Sequence, residues 1–154
     1  GSSTPMCGRV DLVLRDRSGR AVIWDLKWNE RDKYKQQELQ EGVPLQLAVY
    51  AWLAGKRERD YPTGGYFMLK QARLLALEHP DLPGHACIAA TDLEDLMNEA
   101  MAARDRALKA LAKGAAEARK VTSDAGDEPD DRLRFEPNCS WCDFINLCRP
   151  EGWQ

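Results

Sequence analysis

Five side chains in the first third of this chain have types and spacing that suit a single reaction: Asp11, Asp25, Lys27, Gln46 and Tyr50. Two carboxylates can hold Mg2+ or Mn2+ through oxygen ligands while leaving positions open for water and a phosphate oxygen. A cation so held offsets the charge that develops on a phosphate under attack, and a lysine two residues beyond the second carboxylate adds positive charge nearby. Gln46 and Tyr50 are uncharged donors that can orient the lysine, a water or a phosphate without disturbing that charge balance. The chemistry they fit is metal-assisted hydrolysis of a phosphate ester. A second group, Cys139, Cys142 and Cys148, falls within ten residues near the other end. Thiolates gathered by short loops are metal ligands.

For the first five to meet, the intervening chain must fold in a particular way. Residues 8–15 alternate, with Val10, Leu12 and Leu14 on one side and Arg9, Asp11, Val13 and Arg15 on the other, which predicts a strand. Asp16 to Arg20 carries turn residues, and the β-rich run Ala21 to Trp28 completes an antiparallel hairpin. Its period of two puts Ile23, Asp25 and Lys27 on one face and Val22, Trp24, Leu26 and Trp28 on the other. Residues 29–42 fit either a loop or a short helix, with Arg31, Lys33 and Lys35 free to meet phosphates. Pro44 to Gly55 predicts a helix with Gln46 and Tyr50 four apart on one face.

Further strands are expected at 66–69 and 73–77 after a turn at 62–65, giving a sheet of at least three or four strands, with a loop around 80–84. Thr91-Asp92-Leu93-Glu94 matches a capping box opening a helix over 91–117, with an apolar stripe of Leu93, Leu96, Met97, Ala100, Met101, Ala107, Leu108 and Leu111. An acidic linker, 123–131, leads to a cysteine-rich segment, 135–150.

With 154 residues, 44% apolar and 31% charged, the chain has the size and composition of one globular domain, 1–154, whose catalytic core spans 8–77. Residues 1–4 read as a cloning remnant. Neither a membrane-spanning apolar run nor a signal-peptide pattern is found, so the expectation is a cytoplasmic protein with no membrane partner. A net charge of −3 excludes a uniformly basic nucleic-acid binder, but residues 1–77 hold 13 Lys/Arg against 9 Asp/Glu, and residues 78–154 hold 9 against 16. The basic half carries the site residues, as local contact with a polyanion requires. Five cysteines, an odd number without a secretory signal, disfavour a disulfide framework, and Cys7 and Cys87 read as small apolar core residues. Trp24, Trp28 and Trp52 read as packing residues rather than base-stacking ones, and Lys56-Arg57-Glu58-Arg59 as a solvated turn.

An apolar strand with Gly8-x-x-Asp11, a second with Asp25-x-Lys27 and a helix with Gln46-x-x-x-Tyr50 resemble the RecB-like nucleases of the PD-(D/E)XK superfamily, over roughly residues 8–54. The resemblance implies a restriction-endonuclease-like α/β fold, a mixed central sheet flanked by helices. It also implies Asp11 and Asp25 as metal ligands, Lys27 as the catalytic lysine, and Gln46 with Tyr50 as the third motif. Cys139-x2-Cys142-x5-Cys148 extends the likeness to iron–sulfur members, among them AddB-type recombination nucleases and CRISPR adaptation nucleases. There three C-terminal cysteines and one far upstream hold a [4Fe-4S] cluster, and here the fourth ligand is expected outside this chain. The implied activity is a Mg2+- or Mn2+-dependent deoxyribonuclease, an exonuclease of DNA repair, recombination or CRISPR adaptation, with DNA as substrate and a helicase or recombination partner.

Two features depart from that pattern. Family members carry a histidine and the first cluster cysteine on helices before the first strand, whereas His79 and His85 fall after the third motif and Cys7 abuts the first strand. The expectation from these departures is that the chain is a fragment of a longer protein. They leave a second reading open, an inactive module that keeps the nuclease fold to bind DNA or a partner. Zinc competes with the cluster for the cysteines, since thiolates suit both and three ligands complete neither.

Overall fold

The computed structural model describes residues 7–28, 31–55, 58, 60–82 and 84–115. The chain divides into two compact units, Gly1–Ala100 and Met101–Gln154. The first contains a five-stranded sheet in sequential order: β1 (Leu12–Arg15), β2 (Ala21–Lys27), β3 (Thr63–Met68), β4 (Arg73–Leu77) and β5 (Cys87–Ala89). Pairing alternates along the sheet, antiparallel for β1/β2 and β3/β4, parallel for β2/β3 and β4/β5. Two helices, α1 (Lys33–Gln40) and α2 (Leu45–Gly55), fill the connection that the parallel β2/β3 pair demands. The fold is a mixed sheet flanked by helices, as expected. Among the described residues, no helix is long and apolar enough to cross a membrane.

The hairpin forms as the turn residues dictate. Asp16 closes it: its backbone N–H donates to Arg20 O (2.9 Å), its carbonyl accepts from Gly19 N (3.0 Å), and Gly19 supplies the positive φ of 87°. The first strand is shorter than its alternation suggests, starting at Leu12 instead of Gly8, and all four of its residues are exposed. β1 lies at the edge of the sheet, and its period of two does not give it a buried face. The undecided stretch 29–42 contains the helix α1, and the helix expected from Pro44 starts at Leu45.

Cross-strand register decides which side chains share a face. Asp25, Tyr66 and Leu75 are successive partners across β2, β3 and β4, so all three point to one side. On that side Ile23, Tyr66, Met68, Leu75 and Leu77 are buried, as are Leu39 of α1 and Leu47, Ala48 and Ala51 of α2. α2 contacts β2 and β3, and α1 contacts β4 and β5. The opposite side holds a smaller cluster, Val22, Trp24 and Ala76, with Phe67, Leu74 and Leu82 packed against it.

Gly64 and Gly65, expected in a turn, lie inside β3. A Cβ on Gly64 would stand 2.5 Å from Ile23 O, and one on Gly65 would stand 2.5 Å from Leu75 O. The glycines here permit close strand approach, a role that looks the same in sequence as punctuation. β5 was not anticipated; three residues are too few to show a period.

The long helix α3 (Leu93–Ala112) is shorter than 91–117 at both ends. Its cap is Asp92, whose Oδ1 accepts from Glu94 N (2.8 Å) and Asp95 N (3.2 Å), in place of the Thr91 capping box. At its far end Gly114 adopts φ 81° and Ala115 N donates to Ala110 O (3.0 Å), a left-handed closure that stops the helix before Glu117. Leu93, Leu96 and Met97 of the expected stripe are buried, whereas Leu108 and Leu111 are exposed.

Candidate active site

Burial of a carboxylate in a sheet needs compensation, and Asp25 in β2 is only 2% exposed. Its first compensation is Lys27, on the same face two residues on, whose Nζ lies 2.6 Å from Asp25 Oδ2. The second is Gln46 in the first turn of α2: its Nε2 donates to Asp25 Oδ1 (3.1 Å) and to Tyr50 OH (3.0 Å), and its Oε1 accepts from Lys27 Nζ (3.0 Å). The amide can sit only one way round, because Lys27 is donor-only and Asp25 acceptor-only. Gln46 thus ties the strand pair Asp25 and Lys27 to Tyr50 one helical turn away. Since Tyr50 accepts from Gln46, its own hydroxyl hydrogen is left for another acceptor.

Asp11 precedes β1 at a bend. Continuing the register by one step from Leu12↔Trp24 sets it opposite Asp25, and its Oδ2 accepts from Leu26 N at 2.9 Å. The exposed Asp11 and the buried Asp25 therefore address the same stretch of β2. All five residues singled out from the sequence lie in one neighbourhood, four of them joined directly.

A family profile described as the PD-(D/E)XK nuclease superfamily matches residues 4–149. The chain belongs to the PD-(D/E)XK nuclease superfamily. No curated protein and no solved structure matched it significantly. Superfamily membership brings metal-dependent nuclease activity with DNA as the substrate class, and the use of divalent metals. The profile is described at the level of the superfamily and names no subgroup within it.

Among the described residues of this superfamily member, no three His, Cys, Asp or Glu side chains cluster closely enough to hold a metal ion. The acidic donors on offer are two, Asp11 and Asp25. They suit a hard divalent cation in one respect: Asp25 Oδ2 is buried, and its contact there is the ion pair with the Lys27 ammonium at 2.6 Å. A buried carboxylate oxygen with lone pairs to spare beyond that ion pair, and a second carboxylate just ahead of the facing strand, are a fitting start to an oxygen-rich shell.

Three further residues border the site and were not read as one group. Tyr66, fully buried opposite Asp25, donates from its hydroxyl to Glu38 of α1. Glu38 also bonds Lys35 Nζ at 2.5 Å, and that ammonium stands 4.6 Å from the centroid of the Tyr66 ring, with Lys27 Nζ at 5.9 Å. Burial, and after it the hydrogen bond and charge of Glu38, push the Tyr66 hydroxyl far above its ordinary range. Register sets Tyr66 opposite Asp25, and the packing of α1 on the sheet brings Lys35 and Glu38 to it; Lys35 and Glu38 at i, i+3 were the sole sequence signal.

The remaining expected positions fall elsewhere. Cys139, Cys142 and Cys148 lie outside the described residues. Cys87 is half-buried, but Cys7 is exposed, because it lies ahead of β1 rather than under the sheet. Trp24 packs as expected at 5% exposure, whereas Trp28 does not: it falls one residue past the β2 ladder and is 70% exposed. His79 is buried at the far end of the hairpin, where its Nε2 meets Asp16 Oδ2 (3.2 Å) and its Nδ1 accepts from Asp81 N (3.2 Å), a structural pairing.

Proposed function

We propose that this chain is a divalent-metal-dependent deoxyribonuclease that hydrolyses phosphodiester bonds at the Asp11, Asp25, Lys27, Gln46 and Tyr50 cluster. The observation that carries the reading is the hydrogen-bonded linkage of Asp25, Lys27 and Tyr50 through one amide, Gln46, inside a chain of this superfamily. Asp11 and Asp25 would hold Mg2+ or Mn2+. A cation bound there supplies Lewis-acid stabilisation of the charge developing on the phosphate.

The chain's own residues do the rest. Asp25 Oδ2 and Gln46 Oε1 hold the Lys27 ammonium, which keeps a donor to present to the phosphate or to the attacking water. Tyr50 offers its free hydroxyl hydrogen to a phosphate oxygen from the adjoining helix. Gln46 reacts with nothing; it fixes the other three.

The family profile spans both compact units, which supports treating 1–154 as one nuclease domain. A role as an exonuclease in repair, recombination or CRISPR adaptation, working with a helicase, rests on the RecB-like motif order. A [4Fe-4S] cluster on Cys139, Cys142 and Cys148, with a fourth ligand outside this chain, rests on the resemblance of their spacing to that of iron–sulfur nucleases, and visible absorbance with stoichiometric iron in anaerobically purified protein would support it over zinc. A second reading, a DNA-binding module that keeps the nuclease fold without catalysis, is favoured by the donor set of only two carboxylates, Asp11 and Asp25, that the described residues bring to the site.

The deciding experiment is cleavage of labelled single- and double-stranded DNA in Mg2+ and in Mn2+. Cleavage is expected to stop with a chelator and to fall at least about 100-fold in Asp25→Asn and in Lys27→Ala. Full activity in either variant would refute the site assignment. Tight DNA binding in chelator with no cleavage in either metal would decide for the binding module.

A further inference from the structure

We infer that Trp28 and Lys70 form a nucleobase-stacking subsite that takes single-stranded DNA beside the phosphodiester site, an inference that rests on the nuclease reading above. β2 and β3 run parallel, so their C-terminal ends emerge together, and their last paired residues are Lys27 and Met68. Trp28 is the next residue on one strand. On the other, the chain enters a 3-10 turn, Leu69–Gln71, stopped by Ala72 at φ 49°, and this turn carries Lys70. The two meet off the end of the sheet, with Lys70 Nζ 5.8 Å from the centroid of the Trp28 ring.

A tryptophan 70% exposed at such a place is not a packing residue, in contrast to Trp24 at 5% in the same strand. The ammonium against the ring is attracted by the π-face and brings positive charge to the same spot. A flat aromatic face with a cation beside it matches a nucleotide, with the base on the ring and the phosphate near the ammonium. Lys27 and Trp28 are consecutive residues, their Cα atoms about 3.8 Å apart, but their side chains leave the strand on opposite sides, so a single strand with a phosphate at Lys27 would reach the ring by passing over the C-terminal end of β2. In a duplex, base faces are covered by their neighbours. The ring can therefore accept a base only from a single strand or a frayed end, which makes the subsite a determinant of substrate form.

The test is binding of labelled oligothymidylate in chelator, where no cleavage occurs, compared with the same strand bearing abasic residues and with a blunt duplex. Wild type, Trp28→Ala and Trp28→Phe are each measured, with melting temperatures to check folding. Trp28→Ala should bind oligothymidylate about tenfold more weakly, Trp28→Phe should retain most of the affinity, and the abasic strand should bind both wild type and Trp28→Ala alike. Unchanged oligothymidylate affinity in Trp28→Ala, or an equal loss on the abasic strand, would overturn the stacking subsite and leave the nuclease reading standing. Failure of wild type to bind the three DNAs in chelator while still cleaving DNA in Mg2+ or Mn2+ would overturn the subsite alone; failure both to bind and to cleave would overturn the nuclease reading as well.

Discussion

Gln46 has no charge and performs no chemistry in the proposed reaction, yet both of its polar atoms are committed, Nε2 to Asp25 and Tyr50 and Oε1 to Lys27. Gln46→Ala would leave Asp25 Oδ1 without its donor and Lys27 without one of its two anchors. Cleavage and Mn2+ affinity should each fall about 10- to 100-fold, the usual cost of losing a residue that orients ligands. Gln46→Glu should be worse than Gln46→Ala at neutral pH, because it keeps the acceptor for Lys27 but turns a second carboxylate toward Asp25. Kinetics of both variants, with isothermal titration of Mn2+, check the order; a Glu variant more active than the Ala variant would mean that Gln46 does not face Asp25 in solution. These contacts were largely legible beforehand. Period two put Asp25 and Lys27 together and a four-residue step put Gln46 and Tyr50 together, both being local rules. Glu38 and Tyr66 were not legible, because they are 28 residues apart and meet only where the helix α1 packs on the sheet.

At the scale of elements, the site depends on how closely β2, β3 and β4 approach and on what holds α1. Gly64→Ala and Gly65→Ala would each drive a Cβ to 2.5 Å from a neighbouring strand carbonyl, and Gly65→Ala would also meet Trp24 Cζ3 at 3.0 Å. Each should cost about 1–3 kcal/mol, the penalty for overfilling a packed interior, measurable by urea denaturation. Unchanged midpoints would show that the strands can separate freely. α1 has a single fully buried apolar side chain, Leu39, and is otherwise held by polar ties: Asp32 to Arg73 at 2.5 Å, and Glu38 to Tyr66. Tyr66→Phe keeps the ring but removes the donor to a carboxylate, worth about 1.5–3 kcal/mol. Hydrogen exchange of the α1 amides should accelerate while that of α2 stays constant. An equal acceleration in both would place the loss in the common core instead. α1 was undecided in the sequence for the same reason. Its one buried leucine leaves almost no apolar stripe to read, whereas α2 is apolar along most of its length.

At the scale of the whole molecule, the titrating groups set limits on the pH range in which the sheet unit is stable. Asp16, bonded first by Ser18 and then by the backbone and side chain of Arg20, is held well below its ordinary carboxylate range, and Glu58 is lowered by Arg15. A carboxylate depressed in the folded state releases its proton more readily there. Its contribution is therefore complete above the unfolded value, near 4, and lost as pH falls below it. On the alkaline side the order reverses. Tyr61 is raised by burial to about 12 and Tyr66 is raised further, so the unfolded chain ionises first and stability drains as pH climbs past about 10. Melting temperature should be flat between about pH 5 and 9 and should fall on both sides. Tyr61 separates the causes, since its hydroxyl is buried and has no hydrogen-bond partner among the described residues. Tyr61→Phe removes an unsatisfied polar atom and an ionisable group together, so it should match or exceed wild-type stability at pH 7 and soften the fall above pH 10. Asp16→Asn should lower stability at pH 7 and flatten the acid limb. A Tyr61→Phe variant that melts well below wild type at neutral pH would show that the hydroxyl has a partner after all, and an unchanged fall above pH 10 in that variant would leave Tyr66 to account for the alkaline limit.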